Sequence, residues 1–299
     1  MTAPARGIVQ SLTVPVDGGE LAVTRWPGDG PPVIALHGIT ANCLAFTAVA
    51  EALPEADFYA PDLRGRAASA ALPGPYGLTA HVRDTLALLD HLGRRQAVLL
   101  GHSMGAFVAA LAAARHPERF PRVVLVDGGL GFPAPPGTDI DALLQAVIGP
   151  AMDRLSMTFE DREAYLGFFR AHPALAPHWS PQLAAYVDRD LTGRSPELRS
   201  SCVLDAVRAD GAGVLGDPET LAAVHQPQVH GTLLWAERGL LDEPQALYDP
   251  GRIAAAALDP DRMPTRCVGG TNHYSILFPP AAGEVAAAVR ASTHGSGGW

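Results

Sequence analysis

Ser103 stands at the centre of Gly101-His102-Ser103-Met104-Gly105, and the residues around it are those that a serine nucleophile needs. An apolar run, Ala97-Val98-Leu99-Leu100, leads into the pentapeptide, and an alanine-rich helical pattern follows at once. In such a strand–turn–helix context, G-x-S-x-G reads as a nucleophile elbow. A serine on so tight a turn takes a strained backbone conformation. Side chains two residues to either side would collide there, so positions 101 and 105 are glycine. The hydroxyl then stands clear of the sheet, and the helix N-terminus behind it favours developing negative charge. The chemistry is nucleophilic catalysis, in which a nearby base must take the serine proton because a free hydroxyl attacks poorly.

The elements that must hold this turn can be read along the chain. Residues 8–14 and 20–26 alternate apolar and polar side chains around Val16-Asp17-Gly18-Gly19, the pattern of an antiparallel hairpin. Val33-Ile34-Ala35-Leu36 is a short, continuous apolar run, as expected of a strand covered on both faces. It ends in His37-Gly38-Ile39-Thr40, after which Asn42 can cap a helix over residues 43–53. Phe58-Tyr59-Ala60 is the next strand, closed by Pro61-Asp62-Leu63-Arg64-Gly65, and Thr79 opens an amphipathic helix with Val82, Leu86, Leu89 and Leu92 on one face. Beyond the elbow, Val123-Val124-Leu125-Val126 runs into Asp127-Gly128-Gly129. From Leu130 to about Gln226, short helical patterns are broken by prolines, with no convincing strand. Met152, Met157, Phe159, Tyr165, Phe168, Phe169, Trp179 and Tyr186 gather there. Strands resume at residues 229–235 and at Arg266-Cys267-Val268, with helices over 250–258 and 281–291; the tail STHGSGGW reads as mobile. Strands alternating with helices imply a mostly parallel sheet with helices on both faces. Residues 1–129 and 227–299 then form the core, and residues 130–226 a helical insertion above the C-terminal ends of the strands, where ligands bind.

Composition narrows the function classes. Apolar residues make up 47% of 299 and charged residues 18%, enough to bury a large core. The net charge is −9, the basic residues are scattered arginines and there is no lysine, which argues against a nucleic-acid surface. Cys43, Cys202 and Cys267 are odd in number and far apart, so neither a disulfide framework nor a zinc site is expected, and a cytoplasmic setting is. No signal peptide or membrane span is expected either, because the first residues lack an apolar core and no apolar run approaches the length of a span.

Four motifs in this order, His37-Gly38, Pro61-Asp62-Leu63-Arg64-Gly65, the elbow and Gly270-Thr271-Asn272-His273, resemble the α/β-hydrolase fold superfamily over residues 21–291, of the kind with a helical cap between the sixth and seventh core strands. The resemblance implies that Ser103 is the nucleophile and His273, just past the last strand, its base. His102 lies inside the elbow with its side chain directed away, and His37, His81, His225 and His230 lack a base-like context. It assigns the oxyanion hole to the backbone N–H groups of Ile39 and Met104, with His37 bracing the loop, and makes Asp62 structural, paired with Arg64. The acid is where the sequence departs from the family pattern: in Trp235-Ala236-Glu237-Arg238-Gly239-Leu240-Leu241-Asp242 the usual aspartate position aligns with Gly239. Asp127 is preferred because a strand-end residue is held more rigidly than one along a loop, with Asp242 and then Glu237 as alternatives.

The implied activity is serine hydrolysis of small to medium apolar esters or lactones through an acyl-enzyme. The same triad also serves thioesterases, carbon–carbon hydrolases, cofactor-free haloperoxidases, acyltransferases and small-molecule receptors. No metal and no organic cofactor is implied, and the partner is a small molecule met by a monomer or homodimer. Most cap aromatics and methionines read as the cap's own core, with Met157, Phe168 and Trp179 as candidates to line an apolar pocket.

Overall fold

In the computed structural model, which describes residues 8–131, 137 and 139–293, the chain begins with the hairpin. Strand β1 (Gln10–Val16) pairs antiparallel with β2 (Gly19–Trp26), and the turn depends on Gly18, whose φ of +86° is open to glycine at little cost. Next come β3 (Pro32–Leu36), α1 (Thr47–Glu51, preceded by a 3₁₀ turn over Cys43–Phe46), β4 (Asp57–Pro61), α2 (Leu78–His91), β5 (Val98–His102), α3 (Met104–Arg115) and β6 (Arg122–Val126). After β6 the chain leaves the sheet through α4 (Ile140–Ser156), α5 (Arg162–Arg170), α6 (Pro181–Asp188), β7 (Leu191–Arg194), β8 (Glu197–Ser200), α7 (Leu204–Gly216) and α8 (Pro218–Ala223). It returns as β9 (Gly231–Ala236), α9 (Pro250–Ala255), β10 (Thr265–Val268) and α10 (Ala282–Thr293). The tail read as mobile falls, from residue 294 on, outside the described residues.

Eight strands form one sheet in the order β1-β2-β4-β3-β5-β6-β9-β10, antiparallel only where β2 meets β1 and β4. The central strands β3, β4 and β5 are buried at every position, which is why they read as unbroken apolar runs. Their alternate residues feed two cores. Ile34, Leu36, Leu99, Val123 and Leu125 join Leu89 of α2 and Leu111 of α3 on one face. Val33, Ala35, Val98, Leu100 and Val124 join Val49 of α1 and Val285 and Val289 of α10 on the other. The fold is the α/β-hydrolase arrangement expected from the sequence.

The excursion after β6 has an apolar cluster of its own, with Phe159, Tyr165, Leu166, Leu175, Leu183 and Val187 buried together. Two features differ from the sequence reading. A two-stranded hairpin, β7–β8, occurs where no strand was expected, and Phe159 bridges to its Leu198. Its residues are mostly exposed and polar, so the alternation that betrays a half-buried strand is missing. Asp62 does not pair with Arg64. Its carboxylate accepts from Arg189, at 2.6 Å, and from the Cys43 and Ala68 amides, whereas Arg64 pairs with Asp84 of α2 at 2.7 Å. Asp62 therefore ties the sheet to the excursion rather than merely fixing its own loop.

Helix α4 is kinked. Ile148 has non-helical angles (φ −126°, ψ 28°), two residues before Pro150, which lacks an amide proton and crowds the preceding turn. Among the described residues, no helix is long and apolar enough to cross a membrane, and all three cysteines are unpaired.

Candidate active site

Ser103 sits between β5 and α3 at φ 55°, ψ −123°, a conformation that costs of order 1–3 kcal/mol in a non-glycine residue. Its amide donates to the Val126 carbonyl at 2.9 Å, and its own carbonyl accepts from Ala106 at 3.0 Å, so both neighbours pin the turn. The glycines are required by contact. A Cβ at Gly101 would run into the backbone of Gly105 and Ala106, one at Gly105 into the Leu36 carbonyl, and one at Gly128 into the Ser103 carbonyl.

His273, on the loop after β10, is buried with Nδ1 2.6 Å from Asp127 Oδ2. Asp127 is fully buried at the end of β6, and its second oxygen accepts from the Ala236 amide of β9 at 3.0 Å. With its own amide donating to Leu234 at 2.7 Å, the residue is clamped between two strands. The other two carboxylates are occupied elsewhere. Glu237 accepts from the Gly270 amide at 2.6 Å, and Asp242 from Arg238 Nε at 2.9 Å and Asn272 Nδ2 at 3.1 Å. The Asn272 hydrogen bond is the main force holding the Asp242 carboxyl below its usual range. Among the described residues, Asp127 alone of the three bonds to His273. Position 239 has no room for an acid: a Cβ there would strike the Glu243 carboxylate and the Gln245 carbonyl.

The loop after β3 lies across the serine, and a Cβ on Gly38 would be 3.2 Å from that of Ser103. His37 Nε2 accepts from the Leu63 amide at 2.9 Å, which puts the ring proton on Nδ1, and Nδ1 donates to the Gly38 carbonyl at 2.8 Å. Ala41 N–H reaches the same carbonyl at 3.1 Å. That carbonyl belongs to the peptide whose N–H is Ile39, so fixing the oxygen fixes the direction of the N–H. Burial pushes the His37 pKa down to about 4, keeping the ring neutral. Met104 opens α3 and has no helical carbonyl behind its N–H. Ile39, Met104, Ser103, Asp127 and His273 all border one small cavity, of about 60 Å³.

The comparisons with known proteins bear on this arrangement. A family model described as alpha/beta hydrolase fold matches residues 31–173. N-formylmaleamate deformylase of Pseudomonas putida is 30% identical over 213 residues, 68% of this chain and 78% of that protein. The chain belongs to the α/β-hydrolase fold family. Lipase LipV of Mycobacterium tuberculosis is 37% identical over a shorter stretch of 109 residues, 36% of this chain and 41% of the lipase. Among solved structures, a thioesterase domain from the curacin biosynthetic pathway superposes with a TM-score of 0.75 at 20% identity, over 96% of this chain and all of that one, which is a likeness of fold.

Of the pocket candidates in this α/β-hydrolase chain, Phe168 borders a cavity that shares Tyr186 and Tyr274 with one lined by the serine. Met157 caps α4 at the surface, 38% exposed, and Trp179, under the Arg170 guanidinium, lines a pocket with His178 and Gln182 that shares Tyr186 and Phe278 with the cavity at the serine. Phe159, Tyr165 and Leu166 pack within the excursion's own apolar cluster, as most of its aromatics were expected to do. The walls around Ser103 come instead from Phe107, Leu144, Val147, Ile148, Leu215, Leu240 and Tyr248. Leu240, next to the vacant position 239, was the one of these with a signal in the sequence. Tyr274, which follows His273 and borders a second cavity at the serine, was another.

His102 is not a spare base. Its Nε2 donates to the His273 carbonyl at 2.8 Å, the two rings lie 4.7 Å apart, and burial, with His273 beside it, holds its pKa well below the ordinary value.

Proposed function

We propose that the protein is a serine hydrolase that cleaves carboxylic esters or lactones of small to medium apolar substrates. The observation that carries this reading is the 2.6 Å Asp127–His273 contact beside a serine on a strained turn, all in one cavity. Ser103 Oγ attacks the carbonyl carbon while His273 takes its proton on Nε2, the ring nitrogen not bound by Asp127. The oxyanion accepts from the Ile39 and Met104 amides. Collapse expels the alcohol, protonated by His273, and leaves an acyl-enzyme. Water, deprotonated by the same nitrogen, then attacks the acyl carbon and restores Ser103. Asp127 holds the Nδ1–H tautomer and stabilises the imidazolium that forms twice in the cycle.

Residues 130–226 are proposed as the cap and residues 1–129 with 227–299 as the core, because α4 supplies Leu144, Val147 and Ile148, and α7 supplies Val214 and Leu215, to the walls above the serine. Three unpaired thiols fit a reducing, cytoplasmic setting. A second reading, removal of an acyl group from nitrogen rather than oxygen, is favoured by the likeness to a deformylase and uses the same steps.

A fluorophosphonate probe tests the mechanism. Ser103 should be labelled, and labelling should disappear in His273→Ala; no labelling of the folded wild-type protein would refute the reading. Rates for 4-nitrophenyl esters from acetyl to decanoyl, set beside those for N-formyl amides, separate the two substrate classes.

A further inference from the structure

Beyond the serine the space widens into a chamber of about 170 Å³ between α4, α5, α6 and the loops after β9 and β10. Tyr186 and Tyr274 border both this chamber and the smaller cavity that contains Ser103 and His273, so the two are joined at the tyrosines. Burial raises the pKa of both phenols, which keeps their protons in place. Among the described residues, neither hydroxyl has a hydrogen-bond partner, and both tyrosines are half-buried. His172 stands edge-on to Tyr274 at 5.5 Å. Its Nδ1 accepts from Ala174 at 3.3 Å, which leaves the proton on Nε2, and burial keeps the ring neutral. The chamber thus offers uncharged donors.

Its charged residues are already committed. Arg154 donates to Asp190 and Tyr165 and, at 3.4 Å, to the Thr40 carbonyl. Glu243 accepts from the Leu241 amide at 2.7 Å. One cation against two carboxylates leaves the lining with a formal charge of −1, so a substrate carboxylate would enter against repulsion. We propose that this chamber is a subsite for an uncharged carbonyl oxygen, of a ketone or amide, carried on the substrate arm remote from the scissile bond, with Tyr186 and Tyr274 as its hydrogen-bond donors. Without such a group, the hydroxyls of two half-buried tyrosines lose solvent as a partner whenever a hydrocarbon arm displaces it, and that loss is the source of the selectivity.

The proposal uses the catalytic reading only to locate the scissile bond, and its test needs no turnover. Calorimetric binding to Ser103→Ala is compared for 4-oxopentyl butanoate and pentyl butanoate, and for pentyl 4-oxopentanoate and pentyl pentanoate, which place the ketone on the alcohol or acyl side. In one of the pairs the ketone should bind about 5–10-fold more tightly. That ratio should fall to within about twofold when Tyr186→Phe and Tyr274→Phe are added together; should the double variant melt early, Tyr186→Phe alone should still lower it. The ester 3-carboxypropyl butanoate should bind more weakly than pentyl butanoate. Equal binding of ketone and hydrocarbon in both pairs, a ratio that survives the tyrosine changes, or preference for the carboxylate would overturn the proposal. If the wild-type protein turns over none of these esters while the ratio is present, the hydrolase reading fails and the subsite stands.

Discussion

Asp127 uses both carboxylate oxygens, one on His273 and one on the Ala236 amide, and this dual engagement makes its chemistry hard to replace. Asp127→Asn retains the shape but must offer an amide NH₂ to one of two donors, so it stabilises the wrong tautomer of His273. With Asp127 in the proposed role, kcat should fall by roughly 10⁴-fold, as such a change does in Ser-His-Asp triads. Asp242→Asn, which loses the charge of a partly exposed pair with Arg238 and keeps a carbonyl oxygen able to accept from Asn272, should change kcat by less than about threefold. Steady-state kinetics on one ester decides between them, and the reverse order of losses would move the acid to Asp242. The preference for Asp127 was legible because it directly follows an apolar strand, and the vacancy at Gly239 was legible only through the resemblance to the family's usual motif. Glu243, which fills that vacancy, was not, because nothing local shows which side chain folds back into a glycine's space. The Asp62–Arg189 pair escaped for the same reason: its partners are 127 residues apart.

The loop after β3 is held by elements that share no sequence neighbourhood with it. Arg66 Nε donates to the Ile39 carbonyl at 2.9 Å, and Asn42 Nδ2 donates to the Tyr186 carbonyl at 2.8 Å, which links the loop to α6. Arg66 is itself fully buried against Asp210 of α7 at 2.5 Å, and the same carboxylate meets His81 of α2 at 3.0 Å and the Gly77 amide at 3.0 Å. Burial alone would raise the Asp210 pKa, but Arg66 and His81 outweigh it and bring the carboxyl down to about 2. Asp210→Asn would leave a buried guanidinium uncompensated, and we expect it to cost about 3–5 kcal/mol in urea unfolding. Its effect on kcat should exceed that on KM, because the guanidinium holds the Ile39–Thr40 peptide, the one that follows the peptide bearing the Ile39 N–H. Since the folded pKa is depressed, the stabilisation from this carboxyl, about 2 kcal/mol, is present above pH 4 and lost as pH falls through 2. In the sequence Arg66, His81 and Asp210 were three isolated polar residues, since only the packing of α7 against α2 joins them.

Across the whole molecule the core strands, the mostly parallel sheet and the elbow were readable because they rest on local periodicity and on alternation of strand and helix, whereas the cavities were not, being made by contact between distant helices. Acid response is also a property of the assembled core. His37 and His102 are both buried with pKa values lowered from 6.5, His37 to about 4. Below pH 6.5 the unfolded chain binds protons that the folded chain refuses, so stability is full above pH 6.5 and declines toward pH 4. The slope is about 1.4 kcal/mol per pH unit for each such ring. Urea midpoints measured from pH 7.5 to 4.5 should therefore fall steadily, and a flat profile would contradict the burial of these rings. The kink in α4 has a consequence of a different kind. Ile148, at the bend, and Leu240, beside the glycine that replaces the usual acid, are the two side chains that border all three spaces around Ser103. A lineage could therefore redraw its substrate range by exchanging one aliphatic residue for another at either position, leaving the reacting groups as inherited.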